Sequence, residues 1–139
     1  MSEFVEETTQ DLIGSGLNWA TFCAVYTGLQ PAIHIHEAGT HKIHGTLKEI
    51  EFPRAVSLSY SGAHGIEHQW NPSGDWEYGG PLMDRFEVEI LRAGKSVHAK
   101  LYGKTGAAAQ GETALVAMCR AIVTSVYGDT MRIPMELLP

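Results

Sequence analysis

Apolar residues recur along this chain with two different periods, and the changes of period divide it. Over residues 8–28, Leu12, Ile13, Leu17, Ala20, Cys23 and Tyr26 follow helical spacing, with Thr8 or Thr9 placed to cap the start and Gly28 to stop the helix. Gly14 and Gly16 weaken it by about 1 kcal/mol each relative to alanine, which fits either another backbone passing close by or a break near Gly16. Residues 32–69 alternate in strand fashion. Ala32 to Glu37, Lys42 to Phe52, Ala55 to Tyr60 and Ile66 to Trp70 read as antiparallel hairpins, punctuated by Gly39, Pro53 and Gly62.

Arg85 to Arg92 continues the alternation, with Phe86, Val88 and Ile90 on one face and Arg85, Glu87 and Glu89 on the other. Ala93-Gly94-Lys95 turns the chain, and Ser96 to Tyr102 returns with Val97, Ala99 and Leu101 inward. A loop of small residues, 103–111, leads to a second helix. Thr113 is its N-cap, or Glu112 an acidic first-turn residue if the cap lies earlier. Leu115, Met118, Cys119, Ile122 and Val126 make its buried stripe, Gly128 and Asp129 close it, and Met131 to Leu138 is extended, held open by Pro134. This order predicts an α+β fold: an antiparallel sheet with an N-terminal and a C-terminal helix packed on one face, and an extended hairpin region between them. The whole, 1–139, reads as a single domain in which 29–69 is an enlarged hairpin region.

Composition narrows the functional classes. At 139 residues and 44% hydrophobic, the chain is long enough for a real core. No apolar run reaches the length of a membrane span, and the acidic start Glu3-Phe4-Val5-Glu6-Glu7 is unlike a signal peptide, so a cytoplasmic protein without a membrane partner is expected. A net charge of −6 without a basic cluster argues against duplex nucleic acid, while leaving room for one small anion in a local pocket. Cys23 and Cys119 fall in helical apolar segments and read as small buried hydrophobes in a reducing compartment.

Trp70 to Arg85 is the most unusual stretch. Asn71-Pro72-Ser73-Gly74 reads as a turn, and Gly79-Gly80-Pro81 as a sequence that cannot continue a helix, so Trp70, Trp76 and Tyr78 are expected on a rigid loop. Such a loop, with N–H groups freed at glycines, suits a flat polar ligand such as a nucleobase; the alternative is that its tryptophans simply cap the core.

These residues resemble a known family. Leu12-x-Gly14-x-x-Leu17-x-Trp19-Ala20 is similar to the opening helix of phage proteins of the NinX-like type, and Pro72-Ser73, Asp75-Trp76 and Gly79-Gly80-Pro81 to their PS-x-DW-x-x-GGP segment. Gly111-x-Thr113-x-Leu115-x-Ala117-Met118-x-Arg120-Ala121-x-Val123, Tyr127-Gly128-Asp129 and Ile133-Pro134 follow in the same order. The chain departs at 29–69, and at His98-Ala99, where such proteins often show Trp-x-Ala. The family is classed as a domain of unknown function. The resemblance therefore implies an α+β phage or prophage protein, at work in an infected or lysogenic bacterial host, and no reaction.

Candidate chemistry has to come from the residues. Seven histidines are present, five of them within residues 34–64. His34 and His36 share a strand face as two metal ligands would, with His41, His44, His64, His68, Glu37 or Glu67 available as further ligands. The solvated face of a hairpin shows the same alternation and no HExxH or CxxC spacing exists, so no metal or other cofactor is expected. Gly103-Lys104-Thr105-Gly106 lacks the earlier glycine and the immediate helix of a P-loop; it is either an anion-friendly loop before a helix N-terminus or a solvent loop. Arg120, off the apolar stripe, is expected to reach back towards Thr113 and the Gly79-Gly80 loop. Arg85 and Arg120 can lock Asp75, Asp84 or Glu112, or clamp a phosphate.

Three readings follow. The preferred one is an accessory protein that binds and sequesters a small anionic, nucleotide-like ligand, such as a host defence signal, through Trp70, Asp75, Trp76, Tyr78, Gly79, Gly80, Arg85, Thr113 and Arg120. The others are an interaction module that inactivates a host factor through the enlarged hairpins, and, ranked last for want of any catalytic motif, a metal-dependent enzyme using His34 and His36. Exposed strand edges in residues 32–60 also make a homo-oligomer an expectation.

Overall fold

The computed structural model describes residues 3–104 and 106–139; Met1 and Ser2 at the acidic start and Thr105 of the glycine-rich loop lie outside the described residues. A helix that is apolar on every side must be buried on every side, and α1 (Gly14–Val25) is buried continuously from Gly16 to Val25. It starts later than its spacing predicts. The residues ahead of it form β1 (Phe4–Thr8), which pairs antiparallel with the far end of the chain. Thr9 then serves that pairing rather than a helix: its N–H donates to the Asp129 carbonyl (2.8 Å) and its hydroxyl to the Gly128 carbonyl (2.9 Å). Gly16 is where another segment passes, for a Cβ there would stand 3.6 Å from both Ile133 and the Leu137 carbonyl.

The hairpin region supplies β2 (Ala32–His36), β3 (Gly39–Lys42), β4 (Glu49–Phe52), β5 (Ala55–Ser61) and β6 (Glu67–Gln69). β5 pairs antiparallel with β2 on one side and β6 on the other, while β3 and β4 pair only with each other. The rigid loop expected after Trp70 is helical over most of its length. The chain from Trp76 to Arg85 is a helix, α2, with Pro81 inside it. Gly79-Gly80-Pro81 does not break it because tertiary anchoring outweighs propensity. Asp75 caps the start, its Oδ1 accepting from the Glu77 N–H (2.9 Å), and Leu82 is buried. The proline deprives Glu77's carbonyl of its helical donor, but Glu77 is exposed and water can replace the bond. The predicted strand therefore begins at Val88 and not Arg85, although Phe86, Val88 and Ile90 do pack together on the core.

β7 (Val88–Ala93) and β8 (Ser96–Leu101) form the expected hairpin, with Val97, Ala99 and Leu101 buried. The small-residue loop then yields a strand missed by the sequence reading, β9 (Ala108–Gly111), paired with β8. Alanines hide an alternation: Ala107 and Ala109 are inward. α3 (Ala114–Tyr127) is capped by Thr113, whose hydroxyl accepts from the Val116 N–H (3.1 Å), and it ends at Gly128 with φ +83°. β10 (Thr130–Pro134) completes the pairing with β1.

The fold is α+β, as expected, but its strands form four separate antiparallel sheets among the described residues instead of one. α3 packs on β8 and β9; α1 packs on α3 and also meets β5 and β10. Cys23 and Cys119 sit in this interior as predicted, and burial pushes their thiols up to about 11 and about 12. No helix among the described residues is long and apolar enough to cross a membrane.

Candidate functional site

The site is built where the end of α1 meets β5, β6 and α2. Phe22 of α1 and Tyr26, which caps its C-terminal end, lie one turn apart; Tyr60 comes from β5, and Trp70 follows β6. Their rings form a continuous cluster. Phe22 lies 5.4 Å from both Tyr60 and Trp70, and Tyr26 lies 5.9 Å from Tyr60 and 6.0 Å from Trp70, mostly tilted or edge-on. His68 stacks on the outer face of Tyr60 at 5.2 Å.

Trp70 is the buried anchor of this cluster. Its Nε1–H donates to the Asn18 carbonyl (2.8 Å), and Asn18 itself reaches into the following turn. The Asn18 amide donates to Asn71 Oδ1 (2.9 Å), while its Oδ1 accepts from the Ser73 N–H (3.0 Å). Asn18 was not singled out from sequence. An Asn inside an otherwise apolar helix was the available signal, since a buried amide demands partners.

Arg85 is the group that faces outward. Its guanidinium stands 5.9 Å from the centre of the Tyr26 ring and 5.5 Å from that of Phe86. Neither Asp75 nor Asp84 pairs with it; no described residue forms an ion pair with Arg85. Tyr78 lies seven residues before Arg85 on α2, which places the two on the same helix face. Burial raises the Tyr60 phenol above its ordinary range, and the neighbouring phenols of Tyr26 and then Tyr78 add to the shift. Tyr26 is the link between Tyr60 and Arg85, its ring packed against the first and carrying the guanidinium of the second. Beside them a cleft of about 600 Å³ opens between Phe22, Tyr26, Leu29, Gln30, Tyr60 and Gly62, and a smaller one of about 320 Å³ lies against Trp70 and Tyr78.

The remaining predicted residues are placed elsewhere or otherwise engaged. Gly79 does not offer a free N–H, because that group donates to the Asp75 carbonyl (2.9 Å). Its role is close approach: a Cβ would come within 2.5 Å of the Pro72 carbonyl oxygen and 2.6 Å of Leu115. Trp76 is 58% exposed, and Gly80 lies under its ring. Arg120 does not reach the Gly79-Gly80 segment. Its Nε donates to the Leu12 carbonyl (3.0 Å) and a terminal nitrogen to the Gln110 carbonyl (2.8 Å), tying α3 to the approach to α1 and to β9. Burial lowers the pKa of Arg120, with Asp11 and Glu112 opposing the shift. It shares with Thr113, Lys95 and Glu112 a separate groove of about 570 Å³.

The histidines scatter along the hairpins. His34 Nε2 lies 2.7 Å from Ser59 Oγ and 3.9 Å from Glu67. Among the described residues, no three His, Cys, Asp or Glu side chains gather as a metal site.

Fold and site together define an α+β protein with an aromatic cleft, one of whose lining rings, Tyr26, carries the Arg85 guanidinium, which has no ion pair among the described residues. Residues 8–126 match the family described as Bacteriophage P22, NinX, and the chain belongs to that family. No curated protein matches it.

Proposed function

We propose that this phage protein binds and sequesters a small nucleotide-like ligand, and that the ligand lies in the cleft lined by Phe22, Tyr26 and Tyr60, with its phosphate held by Arg85 over the Tyr26 ring. The observation that carries the reading is Arg85. A guanidinium with no acidic partner among the described residues, resting on the Tyr26 ring that itself lines the aromatic cleft, is suited to grip a phosphate while a base stacks beside it. The cleft is of the size that small ligands occupy. Trp70, locked to Asn18, supports the floor. Thr113 and Arg120, which line a separate groove, are not part of this site.

Calorimetric titration with ribonucleoside 5′-mono- and diphosphates and cyclic dinucleotides tests it, together with mass spectrometry of ligand recovered from the denatured protein. At least one of these nucleotides is expected to bind and to be recovered unchanged, as sequestration requires. Arg85→Gln should weaken that binding about tenfold or more without lowering the melting temperature, and the wild-type affinity should fall with salt. Binding unaffected by Arg85→Gln, or no binding by any nucleotide tested, overturns the reading.

A further inference from the structure

The β3–β4 hairpin stands apart from the core with an uncovered apolar face. Its register pairs Thr40 with Glu51 and Lys42 with Glu49 on one face, and His41 with Ile50 and Gly39 with Phe52 on the other. Ile43, whose N–H donates to the Lys48 carbonyl (3.0 Å), continues the second face towards the tip. Every strand residue of the pair is exposed, and neither strand packs substantially on a third element. Ile43, Ile50 and Phe52 are 38%, 45% and 48% exposed, and Leu47 at the tip is fully so. A two-stranded hairpin with no layer beneath it is marginal in water, so this amphipathic pattern calls for a covering surface.

We infer that the covering surface is the same arm of a second copy, laid antiparallel across it about a two-fold axis. The arm carries both halves of such a contact. Leu47 is a knob at the tip, and an open groove of about 520 Å³ lies at the base between His36, Glu37, His41, Phe52, Pro53 and Ala55. Antiparallel stacking puts each tip over the other copy's base, so each Leu47 enters a groove and Ile50 meets its counterpart near the axis. Charge agrees with this direction. The tip bears His44 and Lys48, Lys42 being offset by Glu49 across the register; the base bears Glu37, whose side chain is 78% exposed although Arg54 approaches it at 3.9 Å. Arg54 also donates to the Glu136 carbonyl (2.9 Å), which holds it back towards the body. A parallel arrangement would set like charges together. Four large apolar side chains and one groove from each copy fall short of the roughly 1,200–2,000 Å² that a stable specific interface buries, so the contact is a weak, reversible one. A self-complementary patch of this kind closes as a dimer.

Sedimentation equilibrium on the full chain over a wide concentration range tests the inference, with circular dichroism as the check on folding. The wild type should be a reversible dimer, weakened by salt. Leu47→Ser and Ile50→Lys should each raise the dimer dissociation constant about tenfold or more while the melting temperature of the body holds. Lys48→Glu and Glu37→Lys should each weaken the dimer, and the double exchange should restore it. The rescue keeps the test decisive even if Ile50→Lys disorders the arm. A monomer at every concentration, a dimer indifferent to Leu47 and Ile50, or charge exchanges without rescue would each overturn the inference. None of these outcomes depends on the ligand cleft.

Discussion

The segment from Trp70 to Arg85 and the β3–β4 arm are made of similar material, large apolar side chains separated by turn residues, and they end in opposite states. In the first, a side chain from α1 enters the turn: Asn18 satisfies Asn71 and the Ser73 N–H, and Pro72 and Ser73 are buried with them. In the second, no comparable side chain among the described residues enters, and Ile50 and Phe52 remain about half exposed. Turn chemistry is therefore not what fixes a segment to the body. Buried polar groups that find partners do so, because an amide held inside a core admits few alternative placements.

Two adjacent glycines give the sharpest test of how tightly the first region is held. Gly79→Ala should destabilise the protein by about 3 kcal/mol, since its Cβ would drive into the Pro72 carbonyl, which is backbone, and into Leu115. Gly80→Ala meets only the edge of Trp76 at 4.0 Å, and in a helix it should be neutral or stabilising by up to about 1 kcal/mol. Urea unfolding of both variants measures this. Equal effects would mean that α2 is not pressed against the turn as described.

The same contrast explains what could be read from the sequence. Period and capping are local properties, so α3 with its Thr113 cap, the β7–β8 hairpin and the strands β2 and β5 were all legible. The elements missed are those decided by distant partners. β1 depends on β10 at the other end of the chain, β9 on the edge of β8, and α2 on Leu115 of α3, against which Gly79 is pressed. The candidate site divided for the same reason. Tyr78 and Arg85 share a helix face only once α2 is known to be a helix, and Tyr26 and Tyr60 join them through tertiary contact alone. Arg120 was expected near the glycines because its helix face was legible, but which carbonyls pass that face was not.

A smaller effect separates the polar lock from ordinary packing. Asn18→Ala should cost about 1–3 kcal/mol, because the buried Ser73 N–H loses its acceptor and Asn71 loses a donor. Asn18→Asp keeps an acceptor for Ser73 while removing the amide donor to Asn71, and it buries a charge, so it should be no better than alanine at neutral pH and should improve as the solution is acidified. A double-mutant cycle of Asn18→Ala with Asn71→Ala should show coupling well above zero. Additive losses would show that the turn is held by Trp70 and Pro72 alone.

The smallest expected effect concerns Trp76, and it places the ligand. Trp76 and Arg85 are nine residues apart on α2, half a turn out of phase, so they project from opposite sides of the helix. Trp70 is buried and hydrogen-bonded; Trp76 is mostly in solvent over Gly80. Trp70→Ala should therefore cost about 3–5 kcal/mol, and Trp76→Ala less than about 1 kcal/mol. If the ligand sits on the Tyr78–Arg85 face, Trp76→Ala should also leave its affinity within about twofold, since a lost base–aromatic stack would cost about 1–3 kcal/mol. Melting temperature and calorimetric affinity measured on the same variant decide the matter. A folded Trp76→Ala protein that no longer binds would move the ligand to the far side of α2 and leave Arg85 without the role proposed for it.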